Sequence, residues 1–163
     1  MFPGSETSPV RGGSGRLAGM SETPQSTPAR ADEDELELAK RLFDAARHGQ
    51  TGLLSTFLRR GVSPDLQNAG GDTFLTLAAY HDQPATVEML IRVGADVEKA
   101  NDRGQRPLTC ATFKGDVRSM RLLLAAGADP DAGTPSARQI AEHFGGPEMV
   151  QTLDDAITAV SSS

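Results

Sequence analysis

Gly61, Gly94 and Gly127 recur at a strict spacing of 33 residues. Each closes a similar phrase: Phe57-Leu58-Arg59-Arg60-Gly61, Leu90-Ile91-Arg92-Val93-Gly94 and Leu123-Leu124-Ala125-Ala126-Gly127. The same period links Leu42, Leu75 and Leu108, then Ala45, Ala78 and Ala111, then Leu54, Val87 and Met120. Gly71 with Gly104 and Asn68 with Asn101 keep the register. A fixed period of roughly 20–50 residues marks a chain of equivalent supersecondary units, none of which buries its apolar face alone. Architectures of this kind usually present a surface to a partner and rarely carry a reaction.

The composition agrees. Of 163 residues 37% are hydrophobic, but aromatics are only 4% and Trp is absent. That excludes a large aromatic core and suits thin, repeating layers of Ala and Leu. The net charge of −6 argues against a nucleic-acid groove or an anionic membrane surface. No apolar run reaches the ~18 residues of a membrane span. The first 30 residues lack the apolar core, about 7–15 residues long, of a secretory signal. The single cysteine, Cys110, excludes an internal disulfide and fits a reducing compartment, so the expected location is cytoplasmic.

Residues 1–31 are rich in Gly, Pro, Ser and Thr and cannot bury enough apolar surface to offset chain entropy, so a disordered N-terminal tail is expected. Ordinary tail composition accounts for Arg11-Gly12-Gly13 and for Ser8-Pro9, Thr23-Pro24 and Thr27-Pro28. Met20 offers a second start. Order is expected from Asp32, where Asp32-Glu33-Asp34-Glu35 would favour a helix N-terminus. Leu36, Ala39, Leu42, Phe43 and Ala46 then recur at helical spacing until Gly49. Helices are expected near 35–47, 53–59, 75–81, 85–92, 108–113, 117–125, 136–143 and 147–159. No segment alternates long enough to be a strand, so the fold class is all-α with short hairpin connections.

Two segments resemble the G-x-T-P-L-H-x-A-A opening of an ankyrin repeat: Gly71-Asp72-Thr73-Phe74-Leu75-Thr76-Leu77-Ala78-Ala79 and Gly104-Gln105-Arg106-Pro107-Leu108-Thr109-Cys110-Ala111-Thr112. Gly94-Ala95-Asp96-Val97 and Gly127-Ala128-Asp129-Pro130 resemble the family's closing G-A-D-V. The resemblance implies an ankyrin-repeat solenoid of about four stacked helix-turn-helix units with short hairpin fingers. Its expected limits are an N-terminal cap unit 32–67, repeats 68–100 and 101–130, and a C-terminal cap unit 131–160. Thr73 is placed to cap an inner helix, and Pro107 suits a first helical turn. The family's Pro is Phe74 in the second unit, its Thr is Arg106 in the third, and its His is Thr76 and Thr109. Those exchanges thin the usual hydrogen-bond network between repeats. Asp82 stands where a Gly would separate the two helices. The last unit repeats at a shift of 30 through Ala141, Gly145, Val150 and Leu153, and carries Glu142, Asp154 and Asp155 as an outer cap would.

Signs of catalysis are few. Cys110 falls inside a helix beside the alanine layer, where a small buried hydrophobe is the ordinary reading. His48 and His81 share a phase, but packed helices stand about 8–10 Å apart, beyond the ~4 Å that two zinc–nitrogen bonds span. Neither a metal nor a cofactor is expected. A different group stands out. Arg47, Tyr80, Phe113 and His143 form one row, His48, His81, Lys114 and Phe144 follow one residue later, and Arg103 with Gln105 marks a fingertip. In the family these positions end the inner helices and face the groove. Gap-filling between helices is the plainer alternative for Phe113 and Phe144. Tyr and Arg are favoured contact types. The expected function is a non-catalytic protein–protein interaction module, a monomer binding a protein with an acidic and partly apolar surface. Two alternatives are an accessory or immunity protein for one particular enzyme, and a thiol or metal enzyme using Cys110 and the histidines.

Overall fold

The computed structural model describes residues 28–162. The expected tail, its short motifs and the second start at Met20 lie, up to residue 27, outside the described residues. The described chain is helical: α1 Pro28–His48, α2 Thr51–Arg59, α3 Phe74–Tyr80, α4 Pro84–Arg92, α5 Pro107–Lys114, α6 Val117–Ala125, α7 Ala137–Ile140, a π-helical turn Ala141–Gly145, and α8 Gly146–Ser161. No strand occurs among the described residues, and no described helix is long and apolar enough to cross a membrane.

Odd-numbered helices stack on one another, α1 on α3, α3 on α5 and α5 on α7. The even-numbered ones stack as a second row, α2 on α4, α4 on α6 and α6 on α8. The result is an all-α solenoid of four helix-turn-helix units, two layers deep. Its core is the 33-residue phases seen from the side. Leu42, Leu75 and Leu108 are buried, as are Ala45, Ala78 and Ala111, and Leu54, Val87 and Met120. Alanine recurs because a larger side chain would hold the inner helices apart. Cys110 lies in the same layer, fully buried.

The chain breaks are as local as the core is repetitive. Thr73 caps α3 by accepting from the Thr76 N–H at 3.1 Å, and Pro107 opens α5. Asp116 caps α6, and Ser136 with Gln139 forms a capping box on α7. Asp82 takes φ 58°, the left-handed conformation that Gly49 and Gly115 adopt at the equivalent turns.

Two expectations change. First, α1 begins at Pro28 rather than near residue 35, so the Asp32–Glu35 acids are not in its first turn. Second, the seventh helix has a single α turn and passes through the π turn directly into α8. Gly146, not Gly145, takes the positive φ there.

The fingers between units are held by amides. Asn68 Oδ1 accepts from the N–H groups of Gly70 and Asp72, and Asn101 Oδ1 from those of Arg103 and Gln105. Asn101 Nδ2 donates across the unit boundary to Asp72 Oδ1 at 2.8 Å, and the Asp102 N–H donates to the Gly70 carbonyl at 3.0 Å. Thr76, standing at the motif's His position, contacts Thr73 of its own unit. The Asn101–Asp72 pair is one of several hydrogen bonds that link adjacent units.

Candidate functional site

The ends of the inner helices put the same two positions of every unit side by side. Tyr80 closes α3, Phe113 lies one residue from the end of α5, and Phe144 lies in the π turn. Their rings form a run across three units. Tyr80 and Phe113 are nearly parallel, 12° apart, with centroids at 6.4 Å. Phe113 meets Phe144 edge-on at 6.0 Å and 75°. Both spacings fall within the ~4.5–7 Å of attractive aromatic pairs. Phe113 is 36% exposed and Phe144 67%, so neither fills a gap in the core.

Positive charge borders the rings. Lys114 Nζ sits over the Tyr80 ring, 4.9 Å from its centroid, a cation–π arrangement that crosses from the third unit to the second. His81 stands edge-on to Tyr80 at 5.1 Å. Exposed His48 ends α1, its Nδ1–H donating to the Asp44 carbonyl at 2.9 Å. Arg103 is exposed on its finger and His143 in the π turn. The His81 pKa is lowered, first by burial and then by Arg47, Lys114 and His48, with Asp82 opposing. Three basic neighbours and one acid thus act on this imidazole, in a chain of net charge −6.

Two of the expected contact residues are not at the surface. Arg47 is only 5% exposed and is paired through Nη1 with Asp44 at 2.8 Å. Its phase lies beneath the row rather than on it, because α1 continues the buried Ala45-Ala46 layer up to that point. Gln105 is buried as well: its Oε1 accepts from Asn101 Nδ2 at 2.8 Å. That makes it part of the finger's amide network instead of a fingertip contact. The exposed or half-exposed set is His48, Tyr80, His81, Arg103, Phe113, Lys114, His143 and Phe144.

Little of this points to catalysis. Burial, then Asp72, raises the Cys110 pKa well above the usual thiol value, so the sulfur stays protonated and weakly nucleophilic. No group of three or more His, Cys, Asp or Glu side chains able to hold a metal occurs among the described residues. A second apolar surface escaped the sequence reading. Ile91, Leu122, Ala125 and Ala126 line a shallow furrow between α4 and α6. The signal was there: Ala125-Ala126 occupies the phase of Arg59-Arg60 and Arg92-Val93.

A family model described as ankyrin repeats, in three copies, matches residues 42–134, more than half of the chain. No curated protein matches the chain.

Proposed function

Because the chain belongs to the ankyrin repeat family, whose repeats are generally protein–protein interaction modules, we propose that it is a non-catalytic binding protein. In this reading it engages one partner protein through the inner-helix ends and the hairpin tips. The observation that carries it is the run from half-buried Tyr80 to exposed Phe113 and Phe144, with Lys114 across it. Tyr80 also packs against the core, but exposed Phe113 and Phe144 lie outside a core already filled by Leu and Ala. They fit a partner that is apolar at its centre and acidic around it. The unit limits 32–67, 68–100, 101–130 and 131–160, with the outer two as polar caps, belong to the same reading. So does a monomer working in a reducing compartment, which the lone buried thiol favours.

Capture of partners from native extract, repeated with variants, tests the proposal. Tyr80→Ala should weaken binding by more than about 1 kcal/mol while leaving the melting temperature nearly unchanged. Lys114→Glu should act chiefly on association and fade at high salt. Normal binding by both variants would move the site to the furrow on the outer helices.

A further inference from the structure

Under the aromatic row lie polar nitrogens that nothing in the protein uses. Arg47 Nη1 donates to Asp44, but Nε and Nη2 are buried with no hydrogen-bond partner. On the adjacent inner helix, His81 Nε2 is likewise buried and unpaired. A buried guanidinium with unmade hydrogen bonds is costly, because it has lost water without replacing it. Core packing does not explain the arrangement, since a Leu or Met stem would fill the same space without the cost.

The atoms left unpaired have a particular geometry. Nε and Nη2 form one edge of the guanidinium, the two-pronged side that carboxylates occupy through parallel hydrogen bonds. Asp44 takes only the other end. Arg47, Lys114 and His48 all act on His81 with positive charge, and only Asp82 opposes them. This is a positive locus with directed, unfilled donors. Exposed His48 and Lys114 flank it, and side-chain rotation of such residues is common when an interface forms.

We propose that Arg47 Nε and Nη2, together with His81 Nε2, are the receptor for one carboxylate, an Asp or Glu side chain of the protein partner, held beside the Tyr80–Lys114 pair. This rests on the inner-helix ends being the interaction surface and gives that surface its specificity. The aromatic rings supply apolar contact, and the receptor demands an acid at one fixed distance from it. A partner with Gln or Asn in place of the acid would leave the guanidinium edge poorly matched.

The full chain can be titrated with N-acetylglutamate α-amide while NMR follows the Arg47 Nε–H and the His81 ring. The expected result is a saturable shift of both signals, with His81 titrating at higher pH in the complex. N-acetylglutamine α-amide should leave both signals in place, and inorganic phosphate should bind more weakly than the glutamate compound. Arg47→Met should reduce glutamate binding at least tenfold. Arg47→Lys, which keeps the charge but lacks the fork, should lose most of it too and serves if the Met variant does not fold. Unmoved signals, an equal response to the glutamine compound, or tighter binding of phosphate would overturn the receptor. A failed titration beside a Tyr80→Ala variant that no longer captures partner removes the receptor alone. Capture that survives both Tyr80→Ala and Lys114→Glu unchanged removes the surface reading instead.

Discussion

The second unit (α3 and α4) and the third (α5 and α6) have the same core and different punctuation. Leu75 and Leu108, Ala78 and Ala111, Val87 and Met120, and Leu90 and Leu123 are buried in matching places. Around them Asn68 and Asn101, Gly71 and Gly104, and Gly94 and Gly127 also match, but the helix starts and the inter-helix turn differ. In the second unit a threonine side chain caps the inner helix, whereas the third has Arg106 there with no side-chain cap and relies on Pro107. At the inter-helix turn the second uses Asp82 at φ 58° and the third Gly115 at φ 72°. Phe74 takes the motif's proline place because its ring is fully buried against Phe43 of α1, with centroids at 4.8 Å. Repetition constrains what lies between units. Helix starts and turns are solved locally, by whichever residue satisfies the backbone.

If that comparison holds, core truncations should be interchangeable between the units. Leu90→Ala and Leu123→Ala each open a cavity at a fully buried site between units. Each should cost roughly 2–5 kcal/mol. Chemical denaturation of the two variants checks this. Costs differing by most of that range would show that one unit bears the fold and the other leans on it.

The same division explains what could be read from the chain alone. Helix positions, the alanine layer, the Thr73 cap and the positive φ at Asp82 follow from period and motif, which are properties of single residues in known phases. The Phe74–Phe43 contact joins residues 31 positions apart and has no periodic signature. The burial of Arg47 was hidden for a related reason. Its phase matches half-buried Tyr80, and only the packing of α1 on α3 decides that a long cationic side chain lies beneath the row. Gln105 looked like a fingertip because a finger's amide network appears in sequence only as Asn68 and Asn101. The aromatic row was legible as a list of positions, but not the lysine that crosses from one unit to the next.

The turns should respond in opposite directions. Asp82 holds a left-handed conformation that costs a side-chain-bearing residue energy and glycine almost none. Asp82→Gly should stabilise the protein by about 0.5–1 kcal/mol. Gly115→Asp should cost a similar amount. A Cβ at Gly115 would meet only the Met149 Cε, at 3.6 Å, so the loss would come from the backbone and not from crowding. Melting both variants suffices, and loss of stability in Asp82→Gly would mean that the aspartate supplies more at this turn than its backbone costs.

The smallest effect should appear as a pH dependence that the second unit has and the third lacks, since the third has Lys114 where the second has His81. Burial, then Arg47, Lys114 and His48, holds the folded-state His81 pKa below the ordinary imidazole value of about 6.5. The unfolded chain therefore takes up the proton first as pH falls. Below about 6.5 the unfolded state binds more protons, and stability declines until the folded-state value is passed, where the loss levels off. His81→Asn should flatten this part of the curve, with no change expected above neutrality from this group. Asp82 opposes the shift, so in the background of Asp82→Gly the histidine's contribution should steepen even as the turn itself is relieved. Denaturant midpoints between pH 5 and 7.5, for the parent and the two single variants, measure each contribution. Identical slopes in the parent and His81→Asn would show that neither burial nor its positive neighbours shift this imidazole in solution, and the case for a carboxylate receptor beside it would weaken with it.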